Sequence, residues 1–214
     1  MNHHSFYLDA VRLLFLLVAG GQKSVPASPA GESLLFQGNT RLCAFDFWMR
    51  YPDYLADELI ELFDKTGDNH LLDIAAQIFI DDEPDLRRIP MIRWRFGAYE
   101  KLDDALAILC SREMIRIGGR RTVDRVLETD YLVMPKAIQT CQGIEKQAPV
   151  LKWYRERSAL VSQIANGRNG NELKQRQYER IEYASTKLGA TIPSIAEDVR
   201  SRLLDRRKPS TTRA

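Results

Sequence analysis

A mainly helical fold with a small β-wing is predicted by three features of the chain. Apolar residues recur at helical spacing along most of its 214 residues. The exception is residues 91–135, MIRWRFGAYEKLDDALAILCSREMIRIGGRRTVDRVLETDYLVMP, which read as strand, helix, strand, turn and strand. Within them Leu102, Ala105, Leu106 and Leu109 fall at i, i+3, i+4 and i+7, one stripe of a helix. Met114, Ile115 and Ile117 follow as a β-prone run with Arg116 on the opposite face. Gly118-Gly119 is a turn signal, and Tyr131-Leu132-Val133-Met134 is a second strand closed by Pro135. A helix feeding a two-stranded hairpin is the core of a winged-helix domain. The expected organisation is therefore N-terminal helices and a winged-helix domain over residues 1–147, with the wing at about 114–135. A C-terminal helical region, 148–206, and a basic tail, 207–214, follow.

The other elements follow from the same spacing. Residues 6–18 are apolar almost throughout and predict a helix buried on most sides, stopped by Gly20-Gly21. Residues 22–33 hold Gly, Pro and Ser and read as a loop. Residues 40–51 form a helix with Leu42, Phe45 and Met49 on one side, and Pro52 suits the first turn of the next. Leu55, Leu59, Leu62 and Phe63 mark the buried face of that helix. Leu71, Ile74, Ala75, Ile78 and Phe79 mark a further helix, capped by Asp68 or Asn69. Beyond Pro135 the chain turns helical again, with Val150, Leu151, Tyr154, Ser158, Val161 and Ala165 as one stripe. After a loop at 166–171, Leu173, Gln177, Ile181, Ala184 and Leu188 predict a polar, mostly exposed helix. Ser194-Ile195-Ala196-Glu197 reads as a capping box opening a last helix.

Composition bounds the function. Hydrophobic residues at 44% and charged residues at 28% are a globular balance, and a net charge of +2 gives the whole chain no strong pull toward nucleic acid or anionic lipid. Residues 6–21 contain Asp9 and Arg12 and are too short of uncharged residues for a membrane span, so a cytoplasmic protein with no membrane partner is expected. Cys43, Cys110 and Cys141 are odd in number and form no CxxC pair, which suits reduced, buried thiols and argues against zinc.

The catalytic inventory is poor, and no catalytic residue, cofactor or metal is assigned. His3, His4 and His70 are scattered, and no HExxH or GxSxG can be written. Residues 19–24, AGGQKS, fail as a phosphate loop because Gln22 stands where glycine must precede the lysine and a helix comes before them. Asp81, Asp82, Glu83 and Asp85 could supply nuclease carboxylates, with Glu172-Leu173-Lys174 as the rest of such a site, but a solvated acidic loop is the simpler reading. Around the wing, Arg112, Arg116, Arg120, Arg121 and Arg125 are candidates for contact with the DNA backbone. The exposed face of the preceding helix carries Glu100, Asp103, Asp104 and Ala107, so carboxylates stand where a recognition helix would meet the major groove. Phe47, Trp48, Tyr51 and Tyr54, with Phe45, are candidates for a partner interface, with a core role as the competing reading.

Three segments together resemble a known family. They are RLCAFDFWMRYPDYL at 41–55, RWRFGAYE at 93–100 and CSREMIRI at 110–117. The combination is similar to the middle component of bacterial three-component ABC-ATPase systems, a group that includes the accessory subunit of the Lamassu anti-phage system. The resemblance implies a non-enzymatic, winged-helix-containing subunit. Such a subunit bridges an SMC/Rad50-like DNA-sensing ATPase dimer and an effector, often a nuclease, and meets double-stranded DNA indirectly or through the wing. Two other readings stay open on the residues alone: a winged-helix transcription regulator, and a metal-dependent nuclease using Asp81, Asp82, Glu83 and Asp85.

Overall fold

The computed structural model describes residues 6–23, 33–94, 97–99, 101–120, 122 and 127–208. The chain opens with α1 (Phe6–Gly20), then β1 (Gln22–Lys23), β2 (Leu34–Gln37), α2 (Asn39–Arg50) and α3 (Pro52–Thr66). Next come α4 (Asn69–Ile80), the single turn α5 (Glu83–Leu86), the hairpin β3 (Ile92–Trp94) and β4 (Gly97–Tyr99), α6 (Asp103–Ser111), β5 (Ile115–Gly118) and β6 (Asp130–Val133). The C-terminal part is α7 (Pro135–Gln147), a 3-10 turn (Pro149–Leu151), α8 (Lys152–Ala165), α9 (Gly170–Tyr178), α10 (Ile181–Ala184) and α11 (Ala196–Arg207). The molecule is mainly helical with a small antiparallel sheet of order β1-β2-β6-β5 and the separate β3-β4 pair. Among the described residues no helix is long and apolar enough to cross a membrane.

The helices expected at the N-terminus form where the spacing puts them, and Asp68 caps α4 by accepting the His70 N–H at 3.0 Å. Burial is more complete than the stripes imply in α2 and the first half of α3, whereas Phe6, Tyr7 and Leu8, expected to be covered with the rest of α1, are exposed. From Arg41 to Ile60 every residue except Cys43 is buried, so α2 and the first half of α3 are covered on all sides. Helix α1 lies against α2, α6, α7 and α8. The charged residues of this interior are met by specific partners. Arg12 of α1 donates from Nε to Asp46 of α2 at 2.6 Å and from Nη1 to Asp9 at 2.6 Å. Arg50 donates to the carbonyls of Ile89 and Pro90, both at 3.1 Å. Tyr51 Oη donates to the Ile192 carbonyl at 3.0 Å and accepts the Met91 N–H at 2.9 Å, tying the α2–α3 corner to two distant segments.

Four expectations are corrected. Residues 22–33 are not all loop: Gln22–Lys23 pairs as β1, and Leu34–Gln37, which has no place in the sequence reading, is β2, paired along β6 with Phe36 opposite Tyr131. The stripe from Leu173 to Leu188 is broken into α9 and α10, and Leu173, Gln177 and Tyr183 are buried, because Tyr183 packs edge-on against Phe47 at 5.2 Å and against Tyr178 at 5.3 Å. Ser194 does not open a capping box. Its hydroxyl donates to Asp53 at 2.6 Å, and the same carboxylate accepts the Ile195 N–H at 2.7 Å. Finally, a boundary at 147/148 does not separate two cores, since α8 packs on α1 and α2, α9 on α2, and α11 on α3 and α4 within one hydrophobic cluster.

The Arg12–Asp46 pair tests this interior. Both side chains are nearly inaccessible, at 2% and 1% exposure, and removing Asp46 leaves Arg12 with Asp9 alone and takes one ion pair from Arg50. Asp46→Ala is expected to lower unfolding stability by about 3–5 kcal/mol in urea titration. The joint change Arg12→Met with Asp46→Leu is expected to recover only part of that loss, since buried Asp9 and Arg50 each lose an ion pair.

Candidate partner and nucleic-acid interface

The β5–β6 hairpin, the segment expected as a wing, is positioned by β6, which lies between β2 and β5. In register, Ile115 faces Val133 and Ile117 faces Tyr131, while Arg116 stands opposite Leu132 on the outer face. Ile115, Tyr131, Val133 and Phe36 are buried and dock the sheet on the helices. Gly119 takes φ +122 where the wing turns, and a Cβ there would run into the Glu128 carbonyl. Backbone bonds between Arg120 and Glu128 close the wing's base, and the Arg120 guanidinium donates to the Glu128 carboxylate at 2.9 Å.

The predicted DNA-contact residues divide accordingly. Arg112, at the C-terminal cap of α6, and Arg116 are exposed and form no ion pair among the described residues. Arg120 is exposed but held by Glu128. Arg121 and Arg125 lie outside the described residues. On α6 the apolar stripe Leu102, Ala105, Leu106 and Leu109 is buried, and Asp103, Asp104 and Ala107 are exposed on the other side. Glu100 lies outside the described residues.

Two grooves flank the N-terminal end of α2. One, of about 700 Å³, runs between Gln37, Asn39 and Thr40, the base of the wing at Arg120 and Glu128, and the α8–α9 turn at Asn169. Its walls are fixed locally. Gly38, at φ +87, donates its N–H to Asp130 at 3.0 Å, and Tyr131 Oη donates to Asn39 at 2.7 Å. Asn169 and Glu172 form a reciprocal capping box at the start of α9. Gly170 lets α9 approach α2 closely, since a Cβ would lie 2.6 Å from the Arg41 nitrogen. The other groove, of about 470 Å³, lies between α2 and the α6 end of the β3–β4 hairpin, lined by Thr40, Cys43, Trp94, Ala98, Leu102 and Leu106. Trp94 is 45% exposed, and nothing in the sequence spacing singles it out.

The aromatic interface candidates are overturned. Phe47, Trp48, Tyr51 and Tyr54 are all buried, with Phe47 stacked on Tyr51 at 4.7 Å and edge-on to Tyr54 at 5.0 Å, and Phe45 is buried against Phe36. Helix α2 is surrounded, so aromatics on every side of it are core. The acidic segment is also not simply solvated. Asp81, Asp82 and Asp85 are exposed, but Glu83 is buried, accepting from Arg157 Nη2 at 2.6 Å and from the Trp153 indole N–H at 3.0 Å. Among the described residues no group of three His, Cys, Asp or Glu is arranged to hold a metal ion. Glu172 serves as the α9 cap, and Leu173 beside it is buried. His70 is exposed on α4, whereas His3, His4 and Ser24 lie outside the described residues.

No family model, curated protein or solved structure matches the chain. The three thiols are free. Burial, reinforced by the charge of Asp46, pushes Cys43 up to about 12, and burial with Glu145 does the same for Cys141. Burial raises Cys110 as well.

Two outcomes follow. At pH 8 a thiol near 12 is ionised in only about one molecule in ten thousand, so iodoacetamide is expected to modify half-buried Cys110 first, with Cys43 and Cys141 reacting on unfolding, as peptide mass mapping would reveal. Gly119→Ala is expected to open the wing while leaving the helical core, seen as faster amide exchange at Arg120 and Glu128 with little change in helical circular dichroism.

Proposed function

We propose that the chain is a non-catalytic accessory subunit of a bacterial defence complex. It bridges an SMC/Rad50-like, DNA-sensing ATPase dimer and an effector subunit, a nuclease, against phage or plasmid DNA in the cytoplasm. Within it, α1, β2, α2, α6, β5 and β6 act as a winged-helix unit, with α3–α5 and the β3–β4 hairpin inserted before α6. The order helix, strand, helix, helix, hairpin supports that reading, as does β2 pairing on the far side of β6 from β5.

The observation that carries the proposal is the outward face of α6. A groove-reading helix would meet phosphates and base edges there, yet the face offers Asp103 and Asp104. Like charge disfavours insertion into DNA and suits a protein surface instead. The resemblance to middle components adds the kind of partner. Its motif residues Asp46, Arg50, Tyr51 and Pro52 belong to the buried α2–α3 corner, in keeping with a shared scaffold. A second reading, a winged-helix transcription regulator, draws support from Arg112 and Arg116, exposed and without carboxylate partners among the described residues.

The deciding experiment is purification of the tagged full-length chain together with the products of its neighbouring genes. A coiled-coil ATPase in stable complex is expected, and its absence removes the proposal. On duplex DNA the isolated chain is expected to bind weakly and without sequence preference. The pair Arg112→Ala and Arg116→Ala should then lower the slope of log affinity against log salt by about two. Tight, sequence-specific retention at physiological salt would favour the regulator.

A further inference from the structure

At the C-terminal end of α2, away from the wing, the structure assigns a pocket for a carboxylate carried on an apolar peptide, and we propose that its occupant is an acidic segment of a protein partner. The pocket is a groove of about 220 Å³ between α1, the end of α2, residues 86–89 and the start of α8. Arg12 lines it. Its Nε and Nη1 are taken by Asp46 and Asp9, and Nη2 is buried with no hydrogen-bond partner. A buried guanidinium nitrogen without an acceptor is unfavourable unless something supplies one.

The rim adds charge. Arg87 and Arg88 line the same groove and form no ion pair among the described residues. Of the neighbouring charges, Arg12 and Arg50 stand with Asp9 and Asp46, and Arg157 stands with Glu83, while Asp81, Asp82 and Asp85 are exposed on the segment before Arg87. Arg87 and Arg88 thus stand without a carboxylate partner among the described residues, beside a donor with no acceptor. The remaining walls are apolar. Arg87 lies flat over the Trp153 ring at 4.3 Å, Tyr154 closes one side, and Leu86 projects into solvent at 74% exposure. The two rim arginines, with the buried Arg12 Nη2 behind them, call for an anion, and the small volume admits one acidic group rather than a nucleotide. The Trp153, Tyr154 and Leu86 walls favour a carboxylate flanked by an apolar side chain over a bare phosphate.

The test uses the full chain and an end-blocked, fluorescein-labelled peptide of Leu, Glu and Asp, followed by fluorescence anisotropy. The acidic peptide is expected to bind saturably, and its Gln/Asn counterpart to bind at least about tenfold more weakly. Because Arg12 supports the core, the variants are the rim residues: Arg87→Ala with Arg88→Ala should weaken binding about tenfold without changing thermal unfolding. Trp153→Phe should abolish a peptide-induced change in tryptophan emission. Equal binding of acid and amide peptides, indifference to the Arg87 and Arg88 changes, or no saturation at millimolar peptide would each overturn the proposal. Displacement of the peptide by inorganic phosphate at equal concentration would also overturn it, reassigning the groove to phosphate.

Discussion

Helix α2 and the first half of α3 are buried on every side, yet they carry Arg41, Asp46, Arg50, Asp53, Asp57 and Glu58. A charge in such a place destabilises the fold unless another group meets it. Each is met by a different part of the chain. Arg41 donates to the last carbonyl of α1 and lies over the rings of Phe36 and Phe45. Asp46 holds Arg12 of α1, and Arg50 holds the carbonyls that lead into the β3–β4 hairpin. Asp53 receives Ser194 and Ile195, Asp57 receives Arg202, and Glu58 receives Arg176. The polar requirements of one buried corner thus fix α1, the hairpin approach, α9 and α11 around it. Apolar packing supplies the drive to collapse, while these directed bonds select one arrangement among the compact ones.

This arrangement bears on function because α2 reaches both surfaces under discussion. Its N-terminal end, at Asn39 and Thr40, borders the two grooves beside the wing and α6. Its C-terminal end, at Met49, borders the basic pocket of Arg12, Arg87 and Arg88. A helix of twelve residues spans about 18 Å at 1.5 Å per residue, so two partners could be held at its ends without competing for the same surface. A helix packed along most of its length between two candidate surfaces is in keeping with the proposed bridging role.

Periodicity made α1, α2, α3, α4, α6 and α8 legible, because each has enough turns for an apolar stripe to repeat. The wing strands were legible from alternation and from Gly118-Gly119. What stayed hidden depends on distant partners. Strand β2 is four residues beside a Pro- and Gly-containing stretch, and only pairing with β6 makes it a strand. Ser194 looked like a cap because its spacing to Glu197 is local, whereas Asp53, far off in sequence, claims its hydroxyl. Glu83 sits in an acidic run that reads as solvated, and only Arg157 and Trp153 draw it inside. The aromatics of α2 were ambiguous for the same reason: a stripe shows that one face is buried, but cannot show that a second layer of helices covers the other.

The distribution of positive charge follows from these internal claims and narrows where an acidic partner can bind. In the last third of the chain Arg176, Arg180, Arg202, Arg206 and Arg207 are engaged by acids of α3, α4 and the C-terminal helices themselves. A guanidinium held between two carboxylates contributes little field to a distant phosphate or peptide, and salt screens what is left. Arg112 and Arg116 at the wing, and Arg87 and Arg88 at the opposite end of α2, lack such partners among the described residues. The small net charge therefore hides two local basic surfaces separated by the length of one helix. The one at the wing adjoins the acidic face of α6, while the other adjoins an indole ring and a buried guanidinium. That difference in surroundings underlies the proposal of DNA backbone for the first and an acidic peptide for the second.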